Sequence, residues 1–131
     1  MVLDDCLNPL TRMKSSSKKS SICVSNKGSL IAILISSESV VLFSTTNLKD
    51  LLNIKCSFVS MQFNMDDKLL CGIENEKSIR GVSVVTGESI FTINSDNIFY
   101  SIQLLDNWII VGSDNGIFVY DSHNTKKPHQ V

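Results

Sequence analysis

Apolar residues recur along this chain in short runs, and the runs return at a fixed interval. "SLIAILI" from Ser29, "LLCGIE" from Leu69 and "WIIVGS" from Trp108 set Leu30, Leu69 and Trp108 39 residues apart in both steps. A second set, "VVLFS" from Val40, "IRGVS" from Ile79 and "IFVYD" from Ile117, comes back at intervals of 39 and 38. A third set precedes them: "SICVS" from Ser21, "FVSMQF" from Phe58 and "FYSIQL" from Phe99. A fourth contributes "LLNI" from Leu51 and "SIFTI" from Ser89, and its third copy would fall near Lys127, among polar residues. Self-similarity at such a period marks a repeat architecture.

Polar turn residues separate the runs. "SNKGS", "NMDDK" and "LDN" join first to second; "SSES", "NEKS" and "DNG" join second to third; "TTN" and "VTGE" precede the fourth. Runs of four to seven residues rich in Val, Ile, Leu and Phe, bounded by Gly, Asn, Asp and Ser, predict antiparallel strands. The second runs are nearly continuous in apolar residues, which predicts cover on both faces. Four short strands every 40 residues or so, stacking sheet on sheet, are the blades of a β-propeller. The expected fold is therefore all-β, a partial β-propeller of about three four-stranded antiparallel blades. The expected layout is a polar leader over 1–19, blades over 20–56, 57–95 and 96–123, and a polar tail over 124–131. Lys127 to Val131 carries a Pro and one apolar residue, so the last blade is expected to be incomplete, its third strand open for pairing. The N-terminal segment or another chain would then supply the missing strand, or the sequence is part of a longer ancestral protein.

The units resemble WD repeats, whose third strand typically ends in Trp-Asp after a Gly-Ser-x-Asp-Gly-like turn. "GSDNGIFVYD" fits, with Tyr120-Asp121 in the dipeptide position and Asp114 in the turn. The middle unit, "FVSMQFNMDDKLLCGIENEKSIRGVSVVTGESIF", resembles a whole repeat, and the first, from about Ser20 to Ile54, keeps the strand pattern but ends its third strand in Phe43-Ser44. The departures are specific. No Gly-His pair precedes the first strands, Val111 and Cys71 stand where the family's buried hydroxyl is expected, and Ser83 and Ser44 follow third strands where Asp is expected. The resemblance implies a non-enzymatic scaffold that meets protein partners at the turns between second and third strands and at the links between blades. Those positions are Glu38, Asn75, Glu76, Asp96, Asn97, Asp114 and Asn115, a mildly acidic rim.

Composition narrows the alternatives. At 131 residues, with 43% hydrophobic and 19% charged, the chain suits one globular domain. A net charge of −1 gives no positive field for nucleic acid or an anionic membrane. The longest apolar run, Leu30 to Ile35, is far short of the roughly 20 residues of a membrane span. No secretory signal is visible, and an intracellular protein, cytoplasmic or nuclear, is expected. Cys6, Cys23, Cys56 and Cys71 form no Cys-x-x-Cys pair, and His123 and His129 follow no zinc spacing, so they read as reduced thiols, with Cys71 a small buried hydrophobe.

Candidate chemistry is sparse. From Asp114 the sequence runs Asp-Asn-Gly and turns apolar at once, which is a hairpin turn and not a calcium loop. Asp66-Asp67 is expected to be a solvated pair in a turn, and Tyr100 and Trp108 are expected in the core. "KSSSKKSS", residues 14–21, reads as a soluble, flexible leader that could contact an acidic partner or accept phosphates. No catalytic, cofactor or metal constellation emerges. Three blades cannot close a ring that needs about four to eight, so apolar faces at both ends are expected to attract protein partners that complete or cap the propeller, or a second copy of the chain. A diverged fragment with little independent function, or part of a propeller hydrolase, are the alternatives.

Overall fold

The computed structural model describes the backbone of residues 21–130 and the side chains of residues 21–123. The leader expected over 1–19 lies outside the described residues, as does the Lys/Ser-rich segment apart from Ser21. Twelve strands make three antiparallel sheets, each a meander in chain order. The first holds β1 (Ile22–Val24), β2 (Leu30–Ser36), β3 (Ser39–Ser44) and β4 (Asp50–Lys55). The second holds β5 (Phe58–Phe63), β6 (Leu69–Glu74), β7 (Ser78–Ser83) and β8 (Ser89–Asn94). The third holds β9 (Phe99–Leu105), β10 (Trp108–Ser113), β11 (Gly116–Asp121) and β12 (Asn124–Gln130). β5 lies beside both β1 and β9, so the first strands gather towards one side, as the inner strands of propeller blades do.

The second strands begin on Leu30, Leu69 and Trp108, so the 39-residue period of the sequence is the period of the fold. Two hydrophobic clusters hold the blades together. Ala32, Leu34, Val40 and Leu42 of the first sheet meet Phe58, Met61, Phe63, Leu70 and Val82 of the second. Cys71, Ile73, Ile79 and Ile93 of the second meet Phe99, Ile102, Ile109, Val111, Phe118 and Tyr120 of the third. Because side chains alternate across a strand, β6 feeds both seams: Leu70 into one, Cys71 and Ile73 into the other. Two-sided cover thus holds for β6. In β2 and β10 one face packs, while Ile31, Ile33 and Ile110 on the other face stay half-buried.

Two glycines are fixed by close approach. A Cβ on Gly72 would stand 2.3 Å from Cγ of Phe58, and one on Gly81 would stand 2.4 Å from the Phe91 ring. Each ring occupies space over a neighbouring strand that a side chain there would fill.

The last blade differs from expectation. Residues 124–130, expected as a polar tail beside an unfinished sheet, form the fourth strand, paired to β11 through Asp121↔Asn124, Val119↔His129 and Phe118↔Gln130, with a register shift between Val119 and Asp121. Backbone hydrogen bonds need no apolar side chain, and an edge strand tolerates Pro128 where a central one does not. The Trp and Tyr expectation also fails. Tyr100 is 65% exposed, in a bulge where Gly112 pairs Ser101 and Ser113 pairs Phe99. Trp108 is 42% exposed at the first position of β10, beside the two-residue turn from β9.

Candidate interaction surfaces

Alternating strand direction puts the β2–β3, β6–β7 and β10–β11 turns at one end of the blades, together with the β4–β5 and β8–β9 links. All seven rim residues expected from the sequence fall there. Glu38, Asn75, Glu76, Asp96, Asp114 and Asn115 are exposed and Asn97 is half-buried. Asn75 and Glu76 both take left-handed backbone (φ 54 and 64), which lets the Glu76 carbonyl accept from the Phe99 N–H. Asp114 stitches its turn to the blade link. Its Oδ1 accepts from the Ile98 N–H at 3.0 Å, and its own N–H donates to the Ile98 carbonyl at 3.0 Å. Ser113 and Gly116 (φ 111) complete the hairpin, Oγ donating to the Gly116 carbonyl at 2.9 Å. Asp114 therefore has a structural bond of its own, as expected of a turn acid.

One charged group at this end was missed in the sequence. Arg80, in the third strand "SIRGVS", donates from Nη2 to Glu74 Oε2 (3.0 Å) and to the Lys55 carbonyl (2.7 Å). Glu74 Oε2 also accepts from the Ser57 N–H at 2.9 Å, and the guanidinium lies 5.7 Å from the centre of the Phe58 ring. This latch fixes the link between the first two blades. A single cation in an otherwise apolar strand beside Gly81 was the available signal.

At the opposite end, Asp67 departs from the expected solvated pair. It is 8% exposed, with left-handed backbone (φ 61), and its carboxylate clasps the first blade. Oδ1 accepts from the Asn26 N–H (2.7 Å) and Asn26 Nδ2 (2.9 Å), and Oδ2 accepts from the Lys27 N–H (2.9 Å). Burial alone raises the Asp67 pKa, but these donors and the Lys27 charge outweigh it and hold the carboxyl below its ordinary value of 3.8. Asp66 is exposed and only caps its own turn, accepting from the Lys68 N–H.

The described residues contain no group of three or more His, Cys, Asp or Glu able to hold a metal ion. Cys23, Cys56 and Cys71 are free thiols. Burial pushes Cys23 and Cys56 up to about 11 and Cys71 up to about 12, so all three stay protonated at neutral pH. Cys71, in the seam between the second and third blades, is the small buried hydrophobe the sequence suggested. No helix among the described residues is long and apolar enough to cross a membrane.

Three stacked four-stranded antiparallel sheets, too few to close a ring, define a partial β-propeller. Among solved structures the chain is similar to the β-propeller domain of Myceliophteria thermophila Cps50 (Swd1), with a TM-score of 0.75 at 9% sequence identity over 92% of this chain. It spans 40% of the length of that chain. In all, 491 solved chains match significantly, and the fold by itself selects no function. No protein-family model matches the sequence, and no curated protein does.

Proposed function

We propose that this chain is a non-enzymatic protein-interaction module of degenerate WD-repeat type that works as part of a larger assembly. The observation that carries the reading is the apolar surface the three blades leave unpaired. On the outer face of the first sheet, Ile22 and Val24 are 59% and 57% exposed, although Val41 and Phe43 further out on that face are buried. On the free face of the third sheet, Leu105, Trp108 and Ile117 are all exposed around half-buried Ile110 and Val119. Contiguous apolar surface of this kind marks an interface. Further blades, contributed by a partner or by a second copy, would cover it, and the acidic rim of Glu38, Asn75, Glu76, Asp96, Asn97, Asp114 and Asn115 would then face other proteins.

Light scattering on the purified chain tests the first half. The reading expects self-association or a partner-bound species, and Trp108→Lys/Ile117→Lys should shift the chain to a monomer. A wild-type monomer that melts cooperatively, with the same mass as that variant, refutes it. Affinity capture compared between wild type and Glu38→Lys/Glu76→Lys/Asp96→Lys tests the rim. Specific proteins should be lost from the variant at an unchanged melting temperature, and equal recovery removes the rim from the proposal.

A further inference from the structure

The two seams are built differently at the end opposite the rim. Between the first and second blades the Asp67 clasp closes the groove, and Asn26 Nδ2 adds a bond to the Asn64 carbonyl at 2.7 Å. Asp106 stands 39 residues beyond Asp67 with the same left-handed backbone (φ 53). The positions equivalent to Asn26 and Lys27, however, are Met65 and Asp66, and the β9–β10 turn has only Asp106 and Asn107 where the β5–β6 turn runs from Asn64 to Lys68. Asp106 has no hydrogen-bond or ion-pair partner among the described residues. No clasp of that kind closes the seam between the second and third blades, where Gln62 Oε1 accepts from the Leu104 N–H at 2.8 Å instead.

At this seam lies a cleft of about 420 Å³ with an apolar floor of Leu69, Cys71, Phe91, Leu104 and Ile109. It continues into a shallower hollow of about 720 Å³, where Asp121 joins Asp66 and Asp106. Against these three carboxylates stand Lys68 and His123, and Trp108 forms part of the mouth. Asp66 and Asp121 accept only from N–H groups two residues on (Lys68 at 3.0 Å, His123 at 2.9 Å), which leaves carboxylate oxygens facing solvent.

We propose that this cleft docks a short extended segment of a protein partner, an aliphatic side chain in the floor and an adjacent Lys or Arg between Asp66, Asp106 and Asp121. The chamber falls in the size range of pockets that hold ligands, and its lining matches their usual form of apolar walls with a few polar groups. The excess of carboxylates selects a cation and repels phosphate, which favours a basic peptide over nucleic acid. The chamber and hollow share Asn64, Asp66, Asp106, Asn107, Trp108 and His123, so one short segment can touch both. The site is independent of the rim, which lies at the other end of the blades.

Selection of a random 12-residue peptide library on the whole chain tests the proposal, followed by titration of selected peptides against the emission of Trp108, the single tryptophan of the sequence. The expected peptides carry an aliphatic residue beside Lys or Arg, perturb Trp108 emission and bind less well as salt rises. Asp66→Asn/Asp106→Asn, two exposed turn substitutions, should weaken them at least tenfold, while Asp50→Asn on the first blade leaves them unchanged. Circular dichroism checks that both variants fold. The idea is overturned by recovery of no binders, by binders without a cation, by a silent Trp108, or by equal affinity for the Asp66→Asn/Asp106→Asn variant.

Discussion

Adding one methyl group at Gly72 should destabilise this protein, although the usual expectation is the reverse. Alanine in place of a strand glycine restricts the unfolded chain and normally stabilises by about 0.5–1 kcal/mol. Here the new Cβ would stand 2.3 Å from Cγ of Phe58 and 2.7 Å from both Cδ atoms. Those atoms are the root of the side chain and not a flexible tip. Phe58 is fully buried, and the Arg80 guanidinium caps its ring while Arg80 also holds the Lys55 carbonyl. Relief therefore requires moving β5 itself, next to the link between blades. Overpacking of this kind costs about 1–3 kcal/mol, leaving a net loss of roughly 1–2 kcal/mol after the entropic gain. The melting temperature should fall on the order of 3–10 °C. Urea unfolding followed by far-ultraviolet circular dichroism should show a lower midpoint at an unchanged slope. In a Phe58→Leu background, which removes the ring, the same substitution should cost clearly less. The reasoning fails if Gly72→Ala is as stable as the parent, or if the two substitutions simply add.

Asp67→Asn keeps the left-handed backbone accessible but discards the charged acceptor, so a loss of about 1–2 kcal/mol is expected. Because the Asp67 pKa is lowered in the fold, its stabilisation is full above 3.8 and disappears as pH falls through the folded value. Parent and variant urea midpoints should converge towards pH 2, and a constant gap would refute the clasp. The thiols act at the other extreme. With Cys23, Cys56 and Cys71 raised by burial from 9.0 to about 11, 11 and 12, stability should be full below pH 9 and fall as pH climbs through those values. Mass-spectrometric labelling at pH 8 should find Cys71 protected until denaturant is added, and rapid native labelling would contradict the buried seam. Gly87→Ala isolates backbone strain. Its φ is +76 and a Cβ there meets Ile54 and Leu52 at an ordinary 3.5 Å, so a loss of roughly 1 kcal/mol should arise without any clash, readable in the urea midpoint.

What the sequence revealed and what it hid divide along physical lines. Leu30, Leu69 and Trp108 open their strands because apolar periodicity and turn chemistry are local signals, and a repeat states them three times. The rim was legible for the same reason, since strand order alone sends Glu38, Asn75 and Asp114 to one end. Asp67 was misread because its bonding partners lie 40 and 41 residues away, in a turn that nothing near Asp67 announces. β12 escaped notice because its strand character rests on backbone pairing at an edge, where side-chain pattern carries little information. Trp108 was expected in the core because it lies in a strand, whereas it opens β10 beside a two-residue turn and stays 42% exposed. The cleft lies beside a turn three residues shorter than its counterparts, a difference visible in "LDN", but the cleft itself needs the neighbouring blade to be seen.

Among the described residues the second blade carries a hydrophobic seam on each face, and this gives the chain a centre of persistence. Opening either seam leaves β6 covered on one side, so its amides require the loss of both neighbours before they meet solvent. Deuterium uptake should therefore sweep inwards from the two terminal blades, and Leu70 to Ile73 should be the last amides to exchange. A change in an end blade therefore disturbs one seam, whereas a change in the middle unit is felt in two.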